Sequence, residues 1–206
     1  MSTPPTIDQL IAERVRELRK QHGHSLEALA QLSGVSRSMI SLIERGETSA
    51  TAAVLGKLAQ ALQVPLAFLF EEPAGSAGPQ PLARAAQQQC WQDPATGYVR
   101  RHLSPSGYAA PLELVEVLFP HGQSVAFDNA LRSSEPLHQQ LWLLEGRMQI
   151  SLGEQQWQLE PGDCLAMALN QTIVFANTSR KPARYLLALT ALPERAAPLN
   201  VSRSIR

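Results

Sequence analysis

The spacing of apolar residues changes near residue 72, and this change constrains the fold more than any other feature of the chain. Before it, apolar residues recur at helical spacing; after it, they recur in short alternating runs typical of β-strands. Residues 71–81, between the two regions, have no periodicity and contain three prolines. A chain of 206 residues is long enough for two domains. The sequence therefore predicts a helical domain (1–72), a linker (73–81) and a β-rich domain (82–206).

Local start and stop signals predict five helices in the first domain. The five begin at or just after Thr6, Ser25, Ser36, Thr51 and Pro65. Thr6 and Gln9 fit a capping box, in which each side chain satisfies a free backbone amide of the first turn. Gly34, between the second and third helices, supplies the positive φ that a sharp turn requires.

Residues 25–46 place two helices around that turn. Ala30 must be small because the two helices cross there, and Ile40 and Ile43 anchor the third helix against the first. The segment SLEALAQLSGVSRSMISLIERG strongly resembles the helix-turn-helix of the Xre/lambda-repressor-like family, over about residues 8–70. The resemblance implies an all-α, five-helix DNA-binding domain whose third helix enters the major groove. It also implies an ion pair between Arg19 and Glu44 that braces the first and third helices.

The outward-facing residues of this motif are the candidate DNA contacts. Arg37, at the start of the third helix, can bind guanine through two hydrogen bonds, or serve as a phosphate contact. Serine hydroxyls and free amides at helix N-termini suit phosphates, as do the hydroxyls of the loop after the third helix, which include Thr51. The predicted DNA-binding residues are Ser25, Ser36, Arg37, Ser38, Ser41, Leu42, Thr48 and Ser49. A purely structural or dimerising helical domain is the alternative.

The charge balance limits how DNA can be bound. The chain has zero net charge, and residues 1–72 hold seven Lys/Arg against eight Asp/Glu. Binding to double-stranded DNA must therefore come from a local patch. Such a domain should bind DNA weakly as a monomer, so a homodimer is predicted. Its two third helices would contact successive half-sites about 34 Å apart.

The second domain reads as many short strands with frequent turns, which favours a barrel or a sandwich. The predicted strands are 112–119, 141–144, 148–152, 157–159, 164–168, 173–175 and 185–189. The stretches QQLWLLEGR (139–147) and LEPGD (159–163), followed by Asn177, resemble a cupin. This resemblance implies an all-β jelly-roll barrel. Together the two halves resemble the Xre–cupin regulators, in which the cupin senses a metabolite and usually carries the dimer contact.

Enzymatic cupins hold a metal with three His and one Glu, and the matching positions of this chain differ. Gln139 stands where the pattern has Glu, and Ile173 where it has the last His. The two early His would fall among Arg132, Ser133, Ser134 and Glu135. An amide is a poor ligand for a transition metal and Ile cannot ligate. The sequence therefore predicts neither a metal nor another cofactor.

A barrel without a metal still offers an interior for a small-molecule effector. Strand alternation places Gln139, Leu141 and Leu143 on one face and His138 and Trp142 on the other. The predicted effector-binding residues are Arg132, Glu135, Gln139, Leu141, Leu143, Cys164 and Ile173. Apolar walls with a few polar groups suit a ligand, although barrels fill their interiors with such residues in any case.

These observations favour a non-enzymatic, ligand-responsive transcriptional regulator. The alternatives are an antitoxin-like or other protein-interaction module, and a cupin enzyme with a DNA-binding appendage. No apolar run approaches the roughly 20 residues that span a bilayer, and no secretory signal is evident. Cys90 and Cys164 are far apart and in no metal spacing. The sequence thus predicts a cytoplasmic protein without membrane contact, and leaves open its effector, its operator, the sign of regulation and the role of the tail from Pro193.

Overall fold

The computed structural model describes residues 6–64, 66–70, 80–108, 110–129 and 137–191. In the first of these ranges lie helices α1 (Ile7–Gln21), α2 (Leu26–Ser33), α3 (Arg37–Glu44) and α4 (Ala52–Ala61). The predicted fifth helix is a single 3-10 segment, Leu66–Phe70. A 3-10 helix is commonly this short because its hydrogen bonds are poorly aligned. None of the described helices is both long and apolar enough to cross a membrane.

The predicted helix caps are present. The Thr6 hydroxyl accepts from the Gln9 amide at 3.3 Å, and the Gln9 side chain accepts from the Thr6 amide at 2.8 Å. The hydroxyls of Ser25, Ser36 and Thr51 each accept from the amide three residues on, at 3.0, 3.2 and 3.3 Å. Each cap satisfies an amide that the first helical turn leaves free. Gly34 adopts φ +65°, as the sharp turn requires.

The remaining ranges form a 3-10 turn, Ala85–Gln87, and ten strands. The strands are β1 (Cys90–Gln92), β2 (Val99–His102), β3 (Glu113–Phe119), β4 (Ser124–Phe127), β5 (Leu137–Glu145), β6 (Met148–Leu152), β7 (Gln155–Leu159), β8 (Cys164–Ala168), β9 (Ile173–Ala176) and β10 (Ala183–Ala191). Strands β1, β2 and β4 were not predicted. They are three or four residues long, and β2 (VRRH) lacks the apolar alternation that signals a strand.

The strands form two antiparallel sheets. One has six strands in the order β1-β2-β3-β10-β5-β8, and the other has four in the order β4-β9-β6-β7. Leu141 and Leu143 of the first sheet and Ile150 of the second are fully buried in the core. Two sheets that share a buried interior are the predicted jelly-roll arrangement.

The helical domain and the barrel share one continuous hydrophobic core. The rings of Phe70, in the 3-10 segment, and Trp91, in β1, lie 5.4 Å apart. Asp93, which is 1% exposed, accepts a hydrogen bond at 2.9 Å from the Ala52 amide at the start of α4. A residue of the barrel thus helps to cap a helix of the other domain. The two domains are packed as one unit over these residues, because the contacts between them exclude water.

Candidate nucleic-acid interface and ligand cavity

Helix α3 divides into a buried and an exposed face, as its spacing predicts. Ile40 and Ile43 are buried against the other helices. Ser36, Arg37 and Ser38 are exposed at its N-terminal end. Within the described residues, the Arg37 guanidinium has no ion pair. Its five donors are therefore available to a partner in solution.

The half-buried Ser41 and Leu42 follow on the same helix. The Ser41 hydroxyl accepts a hydrogen bond from Arg45, which the sequence analysis did not select. Arg45 also forms a two-bond ion pair with Glu47, at 2.7 and 2.8 Å. The hydrogen bond between them raises the pKa of Arg45 and lowers that of Glu47. The four-residue spacing from Ser41 to Arg45, which places two side chains together on a helix, was the missed signal.

The other predicted DNA contacts are surface hydroxyls with differing partners. The Ser25 and Ser36 oxygens accept from helix amides, and the Ser36 and Ser38 hydroxyls lie 3.1 Å apart. In the loop between α3 and α4, Thr48 is half-buried and Ser49 is exposed. The Ser49 hydroxyl donates to the Asp8 carboxylate at 2.6 Å, so a phosphate would have to compete with that carboxylate for it.

The predicted brace between α1 and α3 is confirmed. Arg19 Nε and Nη2 donate to the two Glu44 oxygens at 2.6 and 2.8 Å, and Nη1 donates to the His24 carbonyl at 2.9 Å. Both side chains are largely buried, and the hydrogen bond to Glu44 raises the pKa of Arg19. This pair fixes α3 to α1 through the two parallel bonds that a planar guanidinium can make to a carboxylate.

A cavity of about 80 Å³ lies between α4 and the interior of the barrel. Gly56, Ala59 and Gln60 of α4 form its roof, followed by Val64 and Leu66. Five aromatic rings line the barrel side: Tyr98, Phe119, Phe127, Phe175 and Tyr185. Its polar lining residues are Gln60, Arg100, Asn129, Gln139 and the exposed Asp128. It is a mostly apolar space with a few polar groups, the usual character of a ligand site.

The predicted effector residues have different positions relative to this cavity. Gln139 and Ile173 line it, whereas Leu141 and Leu143 are buried in the core and do not. The placement of Cys164 in the pocket is wrong: it is exposed and lies opposite Trp142 on the outer face of the six-stranded sheet. Strand alternation turns Leu165 and Met167 inward instead. Arg132 and Glu135 lie outside the described residues.

A charged cluster of Arg100, His102 and Glu113 borders the cavity, and none of these residues was predicted to have a role. Arg100 is 6% exposed, and its Nη2 donates to Glu113 Oε1 at 3.1 Å. His102 Nδ1 lies 3.5 Å from the same oxygen. Burial, and then the Arg100 charge, lower the pKa of His102 to about 4. Burial raises the pKa of Glu113, and Arg100 partly offsets this.

Glu113 and His102 also line a second, more open cleft of about 480 Å³. This cleft lies between residues 104–108 and 110–112 on one side and the adjacent ends of β5 and β10 on the other. The charged cluster therefore lies between the two spaces. Gln139 and Ile173 do not line this cleft.

The positions that correspond to a cupin metal site do not fit a metal. The Gln139 amide contacts the Met167 sulfur at 4.0 Å, and Ile173 has no donor atom. Across the described ranges, no three His, Cys, Asp or Glu side chains are grouped closely enough to share an ion. Gln139 and Ile173 therefore lack the carboxylate and imidazole donors of an enzymatic cupin.

The outer face of the six-stranded sheet carries apolar side chains. Trp142 is 49% exposed, and Leu114 and Leu118 on β3 are also exposed. In register, Leu186 of β10 pairs with Trp142 on one side and with Glu116 of β3 on the other. His138 and Gln140 are exposed on the same side of β5, as the alternation predicts. A face of this kind is typical of an interaction surface.

A capped helical domain with an exposed third helix, joined to a two-sheet jelly roll, defines a helix-turn-helix protein with a cupin domain. Residues 15–69 match the family model HTH_3, described as helix-turn-helix. Over 65 residues the chain is 40% identical to the HTH-type transcriptional regulator SutR of Escherichia coli K12, which covers 32% of this chain and 36% of that protein. Over 64 residues it is 36% identical to SinR of Bacillus subtilis, covering 31% and 58% of the two chains.

A solved structure extends the likeness beyond the helical domain. The crystal structure of an HTH_3 family transcriptional regulator from Vibrio cholerae superposes with a TM-score of 0.69 at 27% identity. The match covers 91% of this chain and 98% of that one. The chain spans between a third and three fifths of the curated relatives SutR and SinR. Residues 15–69 thus match the helix-turn-helix family, and the predicted resemblance of this domain to Xre-type regulators is confirmed.

Proposed function

We propose that this protein is a sequence-specific DNA-binding transcriptional regulator that acts in the cytoplasm as a homodimer and responds to a small-molecule effector. One observation carries the proposal: a helix-turn-helix domain that presents Arg37, exposed and without an ion pair among the described residues, at the N-terminal end of α3. That end of a recognition helix contacts base edges in the major groove. The helical domain is also the part that resembles named regulators.

Arg37 is the base reader in this scheme, since a guanidinium can donate two hydrogen bonds to guanine. Ser38, Ser41 and Leu42 supply the rest of the surface that enters the groove. The hydroxyls of Ser25, Ser36, Thr48 and Ser49 contact phosphates and set the register on the duplex. The ion pair between Arg19 and Glu44 keeps α3 in place against α1.

Dimerisation supplies the affinity that a domain with a net charge near zero lacks. The exposed apolar face around Trp142, Leu114 and Leu118 is the contact we assign to a second copy of the chain. Two copies joined through their barrels would present two recognition helices to successive half-sites.

The effector occupies the cavity rather than the outer cleft, because the cavity is largely apolar and contains the predicted residues Gln139 and Ile173. It changes DNA affinity only by the difference between its affinities for the DNA-competent and incompetent states. The residues at the cupin metal positions give no reason to propose an enzyme.

The first test is genome-wide DNA binding by the purified protein, followed by affinity measurements on the site found. We expect Arg37→Ala to lose about 1–3 kcal/mol of discrimination against a site with one substituted guanine. Arg16→Ala, the same change at an exposed arginine of α1, is the matched control and should leave discrimination intact. If Arg37→Ala weakens binding equally to every sequence, Arg37 contacts phosphate only; if the wild type prefers no sequence, the proposal fails.

The dimer is tested by sedimentation of the full chain at micromolar concentration. Trp142→Glu should convert dimers to monomers, because it introduces a charge into the apolar contact. Leu82→Glu, at an exposed leucine outside the sheets, is the control and should remain dimeric. A wild-type protein that is monomeric with its DNA site present would contradict the scheme.

A further inference from the structure

The roof of the cavity belongs to the DNA-binding domain and its walls belong to the barrel. Gly56, Ala59 and Gln60 of α4 close the space above the aromatic rings of the two sheets. A Cβ added to Gly56 would lie 2.9 Å from the Phe127 ring, so the helix backbone rests directly on that ring. The Gln60 side-chain nitrogen is buried there, and no described residue hydrogen-bonds to it. A ligand that enters the cavity therefore contacts α4, a helix of the helical domain.

The cavity is small for a metabolite. Its volume is about 80 Å³, whereas ligand pockets usually have about 300–1,000 Å³. The barrel side is held by strand pairing on both sheets, so its walls resist displacement. Helix α4 has no strand pairing to the barrel, and it meets the barrel through contacts that include the Asp93 bond to the Ala52 amide and the approach of Gly56 to Phe127. The roof is therefore the side that must yield when a ligand enters.

A chain of aromatic contacts connects the cavity with the helical domain at both ends. Successive ring centroids lie 5.4 to 6.5 Å apart. The chain runs Phe70, Trp91, Tyr98, Phe119, Tyr185, Phe175 and Phe127. Phe70 is part of the 3-10 segment after α4, and Phe127 contacts α4 itself. A ligand that displaces the middle rings would therefore affect both contacts of this chain with the helical domain, at Phe70 and at Phe127.

Arg100 gives the cavity a chemical preference. Its side chain is 7% exposed, yet its Nε has no hydrogen-bond partner within the described part of the chain, and its ion pair with Glu113 is a single contact at 3.1 Å. A buried guanidinium whose Nε lacks an acceptor is costly until an acceptor completes it. Aromatic walls around one such cation suit a ligand with an apolar body and one carboxylate.

We infer that the cavity binds a small carboxylic acid with an apolar or aromatic body, that the carboxylate pairs with Arg100, and that binding displaces α4 from the barrel. The inference rests on the proposed function and adds the ligand class and the route of regulation. The loop with the predicted phosphate contacts Thr48 and Ser49 runs directly into α4 through its cap, Thr51. Movement of α4 therefore moves a predicted DNA-contacting loop, and acid binding and DNA binding become coupled.

The test is calorimetric titration of the full-length protein with two acids, phenylacetate and hexanoate, and their neutral amides, phenylacetamide and hexanamide. Each acid should bind about tenfold or more tightly than its amide, because a charge-assisted bond to a buried cation is lost in the amide. Arg100→Gln should abolish the preference. Arg101→Gln, the next residue, whose partner Glu116 lies on the outer face, is the matched control and should preserve it.

Glu113→Gln keeps the test decisive if Arg100→Gln fails to fold. It removes the carboxylate that competes for Arg100, so acid affinity should rise, whereas general damage to the cavity would lower it. Equal binding of acid and amide, no binding of either acid at millimolar concentration, or a fall in acid affinity in folded Glu113→Gln would each overturn the assigned ligand class.

Hydrogen exchange measures the displacement of the roof in the same samples. Amides of α4 should exchange faster with bound phenylacetate while those of β5 do not, and affinity for the DNA site should change. Unchanged or slower exchange across α4 would overturn the displacement. If DNA binding is sequence-specific but insensitive to the acids, this inference fails and the proposed function stands; if no sequence preference exists, the proposed function itself fails.

Discussion

Arg19 in the helical domain and Arg100 in the barrel are both buried, with 12% and 7% of their side chains exposed, yet their surroundings differ. All three guanidinium nitrogens of Arg19 donate at 2.6 to 2.9 Å, two of them to Glu44. Arg100 makes one bond at 3.1 Å and keeps a buried Nε without a partner. The same residue type therefore completes a structural contact in one domain and leaves an incomplete one in the other.

The difference shows how to distinguish a structural buried charge from a binding one. A saturated ion pair holds two helices in one relative position and has nothing left to offer a ligand. A buried cation with free donors is a standing cost to folding, which an incoming acceptor can reduce. The incomplete contact, at Arg100, lies beside the aromatic cavity. The saturated pair, at Arg19, holds α3 against α1.

The largest effect should come from breaking the saturated pair. Arg19→Met leaves Glu44 buried without a partner, so we expect the free energy of unfolding to fall by about 3–5 kcal/mol. Arg100→Met should cost less than half as much, because Glu113 can take up a proton in its buried site. Denaturant unfolding followed by circular dichroism measures both. Equal losses of unfolding free energy would mean that the two arginines contribute equally to stability.

A smaller effect should appear on acidification, through His102 in the Arg100 cluster. Its pKa is about 4 in the folded protein and about 6.5 in an unfolded chain. The unfolded state therefore binds a proton that the folded state does not, and stability falls as pH drops from about 6.5 towards 4, by at most about 3 kcal/mol. The raised pKa of Glu113 has the opposite effect. The folded protein binds a proton there more readily than the unfolded chain, so this group adds stability as the pH falls and opposes the loss from His102.

The comparison of wild type with His102→Gln isolates the histidine. The variant should lose less stability than the wild type between these pH values, measured by denaturant unfolding at each pH. Parallel pH curves for the two proteins would contradict the assignment of a neutral, buried His102.

The smallest effect should come from the exposed pair of Arg147 and Glu160 in the barrel, which lie 2.9 Å apart with more than 60% of each side chain exposed. Arg147→Met should change the free energy of unfolding by no more than about 0.5 kcal/mol, because water screens the pair and side-chain entropy opposes it. Thermal unfolding provides the measurement. A loss as large as that of Arg19→Met would mean that burial does not decide the value of an ion pair here.

The parts of the fold that were predicted are those with local signals. The capping box of Thr6 and Gln9, the caps Ser25 and Ser36 and the turn at Gly34 all act within a few residues, so the sequence contains the whole interaction. The exposure of Arg37 followed from the same helical period. The strands β6 and β8 were also predicted at their observed limits, because turns and apolar alternation bound them.

The parts that were missed depend on residues far apart in the chain. Strand β2 contains Arg100, and its sequence has no apolar pattern that would predict a strand. It is a strand because it pairs with β3, which lies further along the chain. Cys164 was placed on the wrong face because the register of β8 against β5 decides which side it takes. Arg45 is an exception, because its spacing of four residues from Ser41 was a local signal that was overlooked.

By itself, the sequence determined the helix-turn-helix domain, its recognition helix and the jelly-roll class of the second domain. Only the tertiary structure decided that α4 roofs the barrel cavity, that Asp93 caps α4 from the other domain, and that Arg100 borders the aromatic rings. The physical reason is the range of the interactions. Caps and periodicity act over a few residues, whereas a cavity is the space left when distant elements pack.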